Sequence, residues 1–329
     1  MSLRRSPFAP PAALRGPHVQ SVLSSSPLRA LQARRRLRQA PARHASVVLD
    51  LAGGIRLQGV ASMPEGREPR ALVLLLHGWE GSADSNYMRL TAARLLQAGA
   101  AVFRLNFRDH GASHHLNEGL FHSNRIDEIV DAVRVVAARW PIQPLFAAGY
   151  SLGGNFALRL ALRAHSHGLP LQRAVAVCPL LDPARTMDAM EAGLPLYMRY
   201  FERKWRGSLA RKRELFPQAH GFDDGVLRLR MRALTEWMVL RHTGFASLYD
   251  YWNGYSVAGE RLRALPIPAD ILMAADDPVI PLREFEAIAG FPNVQVELAA
   301  HGGHCGFIEN AKLDGYAERW VAQRLIASR

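Results

Sequence analysis

From residue 71 onward, short continuous apolar runs alternate with segments of helical spacing. The run ALVLLLHG (71–78) precedes the helical segment SNYMRLTAARLLQAGA (85–100), and similar runs recur as AVFRLNF, PLFAAGY, RAVAVCPLLD, ADILMAAD and VQVELAA. Continuous apolar runs are typical of strands buried on both faces, and parallel strands need helical connections between them. The pattern therefore predicts an α/β fold with a mostly parallel, doubly wound sheet.

Two regions depart from this alternation. The segments ASVVLDL and IRLQGVASM flank the sequence AGG and predict an antiparallel N-terminal hairpin at the sheet edge. Over residues 184–263 the spacing is helical, aromatic residues are numerous and no buried strand run occurs. We predict a helical cap that lines an apolar pocket; the alternative, that its aromatic side chains simply pack it onto the sheet, stays open. The remaining divisions are a basic N-terminal arm of residues 1–44 and a core of residues 45–183 and 264–329.

Positive charge is concentrated in that arm. The formal net charge of the 329 residues is +12, and nine arginines but no acidic residue precede Asp50. We expect the arm to pack on or flank the core and to be solvated or to contact an anionic surface. A nucleic-acid partner is not expected, because no recognition motif accompanies the charge. The prolines of the arm argue against the long amphipathic helix of a targeting peptide.

Cysteine content and hydropathy bear on the compartment. Only Cys178 and Cys305 occur, which indicates a reducing environment and two free thiols rather than a disulfide framework. No apolar run approaches the roughly 20 residues of a membrane-spanning helix, and the order of residues typical of a secretory signal is lacking. We therefore expect a cytoplasmic protein, whose oligomeric state the sequence leaves open.

The sequence GYSLGG places Ser151 between Gly149 and Gly153, at the junction of a predicted strand and a predicted helix. A tight turn at such a junction strains its central residue and leaves no room for side chains two positions before and after it. It also lifts the central hydroxyl above the sheet, beside a helix N-terminus that favours developing negative charge. Ser151 is therefore a candidate nucleophile.

A serine nucleophile needs a histidine base and a carboxylate that orients it. The segments MAADDPVIP and AAHGGHCGF close two later strands, at the sheet edge where such folds carry their sites. We predict Asp277 as the acid, because it stands four residues before Pro281, with Asp276 as the alternative. We predict His304 rather than His301 as the base, since the two glycines before it let its loop bend over the serine.

The segment HGWEGS follows the first buried run and is a candidate oxyanion loop. The backbone N–H groups of Trp79 and Leu152 are the predicted donors to a tetrahedral intermediate, whereas His77 is expected to hold the loop. The histidines of NFRDHGASHH and His122 match no zinc pattern. Neither a phosphate-binding loop nor a dinucleotide fingerprint occurs, so we expect no metal and no cofactor.

With these residues in place, the chain resembles the α/β-hydrolase superfamily, and more closely its YheT-like branch of predicted esterases and lipid-handling hydrolases. Segments similar to those of the branch are PHVQSVLSS, HGWEGS, NFRDHGAS, GYSLGGN, GFASLYDYWNGYS, ADDPVIP and GGHCGF. The resemblance implies an α/β-hydrolase fold with Ser151 as nucleophile, Asp277 as orienting acid and His304 as base. Two departures concern substrate shape: Asp109 stands where the branch usually has glycine, and TEWMVL replaces an acidic stretch in the insertion.

The leading hypothesis is a cofactor-independent serine hydrolase that cleaves carboxylic esters through an acyl-enzyme, with a small ester or lipid-like substrate. Two alternatives stay open. The same triad would serve acyl transfer to a lipid or another alcohol, and the fold would also suit a non-catalytic module that binds a lipid or a partner.

Overall fold

The computed structural model describes residues 3–326 and contains one central sheet. Its strands are β1 (Arg4–Arg5), β2 (Ala42–Asp50), β3 (Arg56–Pro64), β4 (Leu72–Leu76), β5 (Ala101–Leu105), β6 (Leu145–Tyr150), β7 (Leu171–Val177), β8 (Ala269–Ala274) and β9 (Val294–Ala299). They lie in the order β1-β9-β8-β7-β6-β4-β5-β3-β2. The β2–β3 and β3–β5 pairs are antiparallel and all other pairs are parallel. The predicted mostly parallel sheet and N-terminal hairpin are therefore confirmed.

Helices connect the strands and cover both faces of the sheet. They are α1 (Pro17–Ser24), α2 (Pro27–Gln39), α3 (Asn86–Gln97), α4 (Ile126–Arg139), α5 (Leu152–Arg163), α6 (Pro183–Ala192), α7 (Pro195–Leu215), α8 (Asp224–Arg228), α9 (Met231–His242), α10 (Leu248–Tyr255), α11 (Arg283–Ile288) and α12 (Tyr316–Leu325). Within residues 3–326, none of these combines the length and the apolarity that crossing a bilayer demands.

The order of the strands places the helices in two layers. The chain moves from β4 to β5 through α3, then turns back through α4 to β6 and through α5 to β7. Because such crossovers are right-handed, α3 lies on one face of the sheet and α4 and α5 lie on the other. α12 packs beside α3, and α2 packs against α3 from outside.

Burial explains the continuous apolar runs of the sequence. β4 lies between β5 and β6, and all five of its residues are buried. Leu74, for example, is paired with Phe103 on one side and with Ala147 on the other. A strand covered by helices on both faces has no solvent-facing side chains, so the alternation of apolar and polar residues disappears.

The N-terminal arm is more ordered than its prolines suggested. Pro17 and Pro27 occupy the first turns of α1 and α2, where a backbone N–H has no helical acceptor and its absence costs little. The prolines therefore begin the helices instead of interrupting them. Arg29 of α2 is buried, where it forms an ion pair with Glu318 and donates to the carbonyl of Leu313. Much of the arm is thus packed on the core.

The segment between β7 and β8 folds as five helices, α6 to α10, followed by a 3-10 turn at Gly259–Ala264. No strand interrupts this part of the described chain. The helical character expected for residues 184–263 is therefore confirmed, while its treatment as a separate cap stays a prediction.

Candidate active site

Ser151 lies at the turn between β6 and α5, with a backbone φ of +52° and ψ of −118°. A φ in this range is strained for any residue with a side chain. A Cβ on Gly149 would lie 2.1 Å from the carbonyl oxygen of Gly153, and a Cβ on Gly153 would lie 2.2 Å from that of Leu76. The two glycines are therefore a steric requirement of the turn, as the sequence predicted.

The side chains of Ser151, His304 and Asp277 come together above the turn. The Nε2 of His304 lies 3.0 Å from the Ser151 Oγ, and its Nδ1 lies 2.9 Å from the Asp277 Oδ2. The other carboxylate oxygen of Asp277 accepts the backbone N–H groups of Val279 and Ile280 at 2.8 and 3.0 Å. These amides fix the carboxylate, which in turn orients the imidazole, so that a continuous series of hydrogen bonds ends at the serine hydroxyl.

The electrostatic setting of His304 favours its charged form. Burial is the largest single influence and lowers the pKa of the imidazole, but the Asp277 carboxylate and the neighbouring Cys305 together outweigh it and raise the pKa of His304 to about 9. A histidine in this setting binds a proton strongly, and the carboxylate stabilises the imidazolium that results.

Asp276 and His301, the alternative acid and base, pair with each other instead. The Nδ1 of His301 lies 3.6 Å from the Asp276 Oδ2, and the Asp276 Oδ1 accepts the backbone N–H of Gly303 at 2.9 Å. Neither side chain forms a hydrogen bond with Ser151 in the described chain. Asp276 therefore holds the loop that carries His304, and it acts on Ser151 through that loop.

Helix α1 of the N-terminal arm supports the same loop. The Ser21 Oγ accepts the backbone N–H of His304 at 2.9 Å and donates to the carbonyl of Pro17 at 2.8 Å. The buried amide of Gln20 accepts the N–H of Ile308 at 2.6 Å and donates to its carbonyl at 3.1 Å. The sequence alone did not reveal these roles of Gln20 and Ser21. The segment PHVQSVLSS, which contains both residues, was noted only for its similarity to the YheT-like branch.

The residues of the two predicted oxyanion donors line the same pocket as Ser151. Leu152 opens α5, so its N–H has no acceptor within the helix, and Trp79 lies in the loop after β4. Neither N–H donates a hydrogen bond to any group in residues 3–326. The loop is held by other contacts: the N–H of Gly78 donates to the Tyr87 hydroxyl at 2.9 Å, and the Lys204 Nζ donates to the carbonyl of Glu80 at 2.7 Å.

An apolar pocket opens beside Ser151, with an empty volume of about 790 Å³ that includes its mouth. The insertion contributes Phe201, Trp205, Tyr251, Trp252 and Tyr255, together with Met187, Met190, Thr235 and Met238. Of the other aromatic residues of the insertion, Tyr197, Trp237 and Phe245 pack against the core, whereas Tyr200 and Tyr249 are exposed. The departure TEWMVL supplies Thr235 and Met238 to the pocket wall.

Of the other histidines, His77 is the one expected to hold the loop after β4. His77 is fully buried, its Nδ1 lies 2.7 Å from the Gly78 carbonyl, and its Nε2 accepts the N–H of Phe107. Burial lowers the pKa of His77 to about 4, so the ring is neutral and serves the loop. Among the described residues, no three side chains of His, Cys, Asp or Glu are arranged to hold a metal ion. Cys178 and Cys305 are free and buried, as expected.

Asp109, the other departure from the segments of the YheT-like branch, forms an ion pair with a helix of the insertion. Its φ is +59°, a conformation that glycine adopts without strain. One carboxylate oxygen lies 3.0 Å from the Nζ of Lys212 on α7, and the other accepts the N–H of Phe121 at 2.8 Å. Both charged side chains are almost fully buried. This pair ties α7 to the loop that follows β5.

Comparison with solved structures shows the same fold. The esterase Pf2001 of Pyrococcus furiosus matches with a TM-score of 0.57 at 16% identity, over 88% of this chain and 91% of that one. An esterase of Pyrobaculum calidifontis matches with a TM-score of 0.56 at 17% identity, over 97% of this chain and 98% of that one.

Comparison of sequences identifies relatives and a family. "Putative esterase YheT" of Escherichia coli is 28% identical over 266 residues, 78% of this chain and 75% of that protein. "Phospholipase ABHD3" of Mus musculus is 25% identical over 244 residues, 73% of this chain and 59% of that protein. A family model described as "alpha/beta hydrolase fold" matches residues 71–311. Together with the sheet order and the turn at Ser151, this match shows that the chain belongs to the α/β-hydrolase-fold family.

Proposed function

We propose that this protein is a carboxylic ester hydrolase that works through a covalent acyl-enzyme, with Ser151 as nucleophile, His304 as base and Asp277 as orienting acid. The observation that carries the proposal is the series of hydrogen bonds from Asp277 through His304 to the Ser151 hydroxyl, beside an apolar pocket. The relatives named as an esterase and a phospholipase act on esters by name, which supports the same reaction class.

In the first half of the reaction, the Ser151 Oγ attacks the acyl carbon while its proton passes to the Nε2 of His304. The imidazolium that forms is stabilised by Asp277: burial lowers the pKa of His304, but the carboxylate together with Cys305 raises it to about 9. His304 then returns the proton to the leaving alkoxide, so that an alcohol departs and the acyl group stays on the serine.

The second half repeats these steps with water. A water molecule gives a proton to the neutral His304 and adds to the acyl carbon, and the collapse of the intermediate returns that proton to Ser151. The products are a carboxylic acid and the regenerated enzyme. The two halves together consume one ester and one water and give one alcohol and one carboxylic acid.

Both tetrahedral intermediates carry negative charge on the former carbonyl oxygen. The free N–H groups of Trp79 and Leu152 are the proposed donors to that oxygen. Each donor of this kind lowers the barrier by about 3 kcal/mol, because it is oriented before the charge develops.

The pocket favours an ester with an apolar acyl chain or alcohol. Aromatic, thioether and aliphatic side chains supply most of its wall, and burial of each CH₂ group of a substrate contributes about 0.8 kcal/mol.

The test is hydrolysis of p-nitrophenyl esters of short and medium acyl chains by the purified protein. Ser151→Ala and His304→Ala are each expected to lower kcat by at least about 10⁴-fold, since the nucleophile and the base act as a unit. Ser166→Ala is the matched control, because Ser166 is exposed and bonds only to Arg163 and His167, and it is expected to leave the rate unchanged.

Hydrolysis that survives in the Ser151→Ala protein would refute the proposal. Adding an alcohol to the same assay separates hydrolysis from acyl transfer: release of acid in excess of the new ester supports hydrolysis, and the reverse supports a transferase. A folded protein that binds the ester and releases no product would point to the non-catalytic alternative.

A further inference from the structure

Large apolar side chains are exposed in two neighbouring parts of the surface. Of the eleven exposed in the described chain, seven lie in residues 19–31 and 194–200. They are Val19, Val22, Leu28, Leu31, Leu194 and Leu196, with Tyr200. Single exposed apolar residues are normal, but a concentration of this kind marks a surface that meets a partner.

In the first part, α2 carries apolar and basic side chains on one exposed face. Leu28 and Leu31 are 71% and 62% exposed. Arg35 and Arg38 are also exposed and follow at a spacing that keeps all four residues on the same side of the helix. The ion pairs of α2 in the described chain are made by other arginines, so these two cations have no carboxylate partner there.

In the second part, the start of α7 repeats this arrangement. Leu196, Arg199, Tyr200 and Arg203 are exposed and are spaced to lie on one face of the helix. Neither arginine forms an ion pair in residues 3–326. The opposite side of the same helical turns points inward, where Phe201 lines the pocket beside Ser151.

The two parts meet beside the active site. The His18 Nδ1 of α1 lies 2.8 Å from the hydroxyl of Tyr197 on α7, and the two rings are 5.7 Å apart. The buried side of α1 carries Ser21, which accepts the backbone N–H of His304. The start of α7 therefore lies against α1, which supports the His304 loop, and α2 follows α1 after only Ser25 and Ser26.

We propose that these exposed faces of α1, α2 and residues 194–203 form a docking surface for a bilayer that contains anionic lipids. Docking would bring the pocket to esters that reside in that bilayer, a consequence that rests on the proposed hydrolase function. The surface itself requires no catalysis.

The mixture of side chains fits this partner better than others. Leucine, valine and tyrosine side chains bury apolar area at the headgroup boundary, while arginine guanidinium groups bind lipid phosphates and keep their charge in the polar layer. A symmetric dimer through the same faces would place unpaired cations opposite one another and is disfavoured by their repulsion. Nucleic acid would use the cations but gain little from the exposed leucines.

The experiment is sedimentation of the protein with vesicles of phosphatidylcholine alone and of phosphatidylcholine mixed with phosphatidylserine. Preferential binding to the mixed vesicles is expected. Each arginine near an anionic surface contributes about a fivefold factor, so Arg35→Gln/Arg38→Gln and Arg199→Gln/Arg203→Gln are each expected to weaken partitioning on the order of 25-fold. Leu28→Ser/Leu31→Ser is expected to weaken it as well, through lost apolar burial.

The matched control is Arg139→Gln/Arg241→Gln, which removes the same charge from exposed positions on α4 and α9 and is expected to change partitioning less than about twofold. The Ser151→Ala protein is expected to bind vesicles as the unchanged protein does, so failure of hydrolysis and failure of docking are separate results. Equal binding to both kinds of vesicle, or an equal loss in the control, would overturn the proposal. Retention on double-stranded DNA without vesicle binding, or a dimer abolished by the same substitutions, would also overturn it.

Discussion

Replacing Asp277 by asparagine is expected to change the pH dependence of ester hydrolysis as well as its rate. In the unchanged protein burial lowers the pKa of His304, but the Asp277 carboxylate, with a smaller contribution from Cys305, outweighs burial and raises that pKa to about 9 from an ordinary 6.5. The base must be neutral to accept the serine proton, so kcat/KM is expected to rise with pH and to level off above about 9. Without the carboxylate, burial remains and lowers the pKa, so the inflection is expected to fall below 6.5.

The magnitude follows from the same values. The difference between about 9 and 6.5 corresponds to about 3 kcal/mol of preference for the imidazolium, or a factor of about 300. The imidazolium forms in the transition state, so the alkaline plateau of kcat/KM is expected to fall by at least about 300-fold in Asp277→Asn.

The assay is kcat/KM for a p-nitrophenyl ester from acidic to alkaline pH, corrected for spontaneous hydrolysis. Asp276→Asn is the matched control: it removes a neighbouring carboxylate that bonds to the backbone of Gly303, and its inflection is expected to stay near 9. An inflection that moves with Asp276→Asn and not with Asp277→Asn would refute the assignment of the acid.

Three further predictions concern the scaffold. Ser21→Ala leaves the part-buried N–H of His304 without its acceptor, so we expect kcat to fall about tenfold with KM unchanged. Ser21→Thr, which keeps a hydroxyl at this position, is expected to restore kcat. Gly153→Ala is expected to prevent stable folding, because its Cβ would lie 2.2 Å from a carbonyl oxygen; urea denaturation measures the effect. The control is Gly207→Ala, at a helical position where nothing lies within 4 Å of an added Cβ. It is expected to leave the free energy of unfolding unchanged or to raise it slightly. Lys212→Met is expected to lower the free energy of unfolding by about 3–5 kcal/mol, because it leaves the buried Asp109 carboxylate without its cation. Adding Asp109→Gly to the same chain is expected to recover most of that loss. No recovery in the double variant would show that the stability of this region does not depend on the ion pair.

The sequence was sufficient where local pattern determines structure. Buried parallel strands need continuous apolar runs, and the turn at Ser151 needs glycine at 149 and 153, so both features are visible without coordinates. The positions of Asp277 and His304 followed as well, because the ends of parallel strands meet at one edge of the sheet.

Other features depend on contacts between distant residues, which no local pattern reports. Ser21 and His304 are 283 residues apart, and the side chain of Ser21 acts on a backbone group, so the histidine loop itself carries no sign of its partner. The strand Arg4–Arg5 consists of two exposed arginines and owes its conformation to pairing with β9. The pair of Asp109 and Lys212 joins two elements whose packing became visible only in the structure.

The most direct test of the proposed nucleophile is covalent labelling with a fluorophosphonate, followed by mass spectrometric mapping of the adduct. A serine activated by His304 and Asp277 is expected to give one adduct, at Ser151, and the folded Ser151→Ala protein is expected to give none. An unlabelled Ser151 in the folded protein, or undiminished labelling after its replacement, would contradict the proposed mechanism.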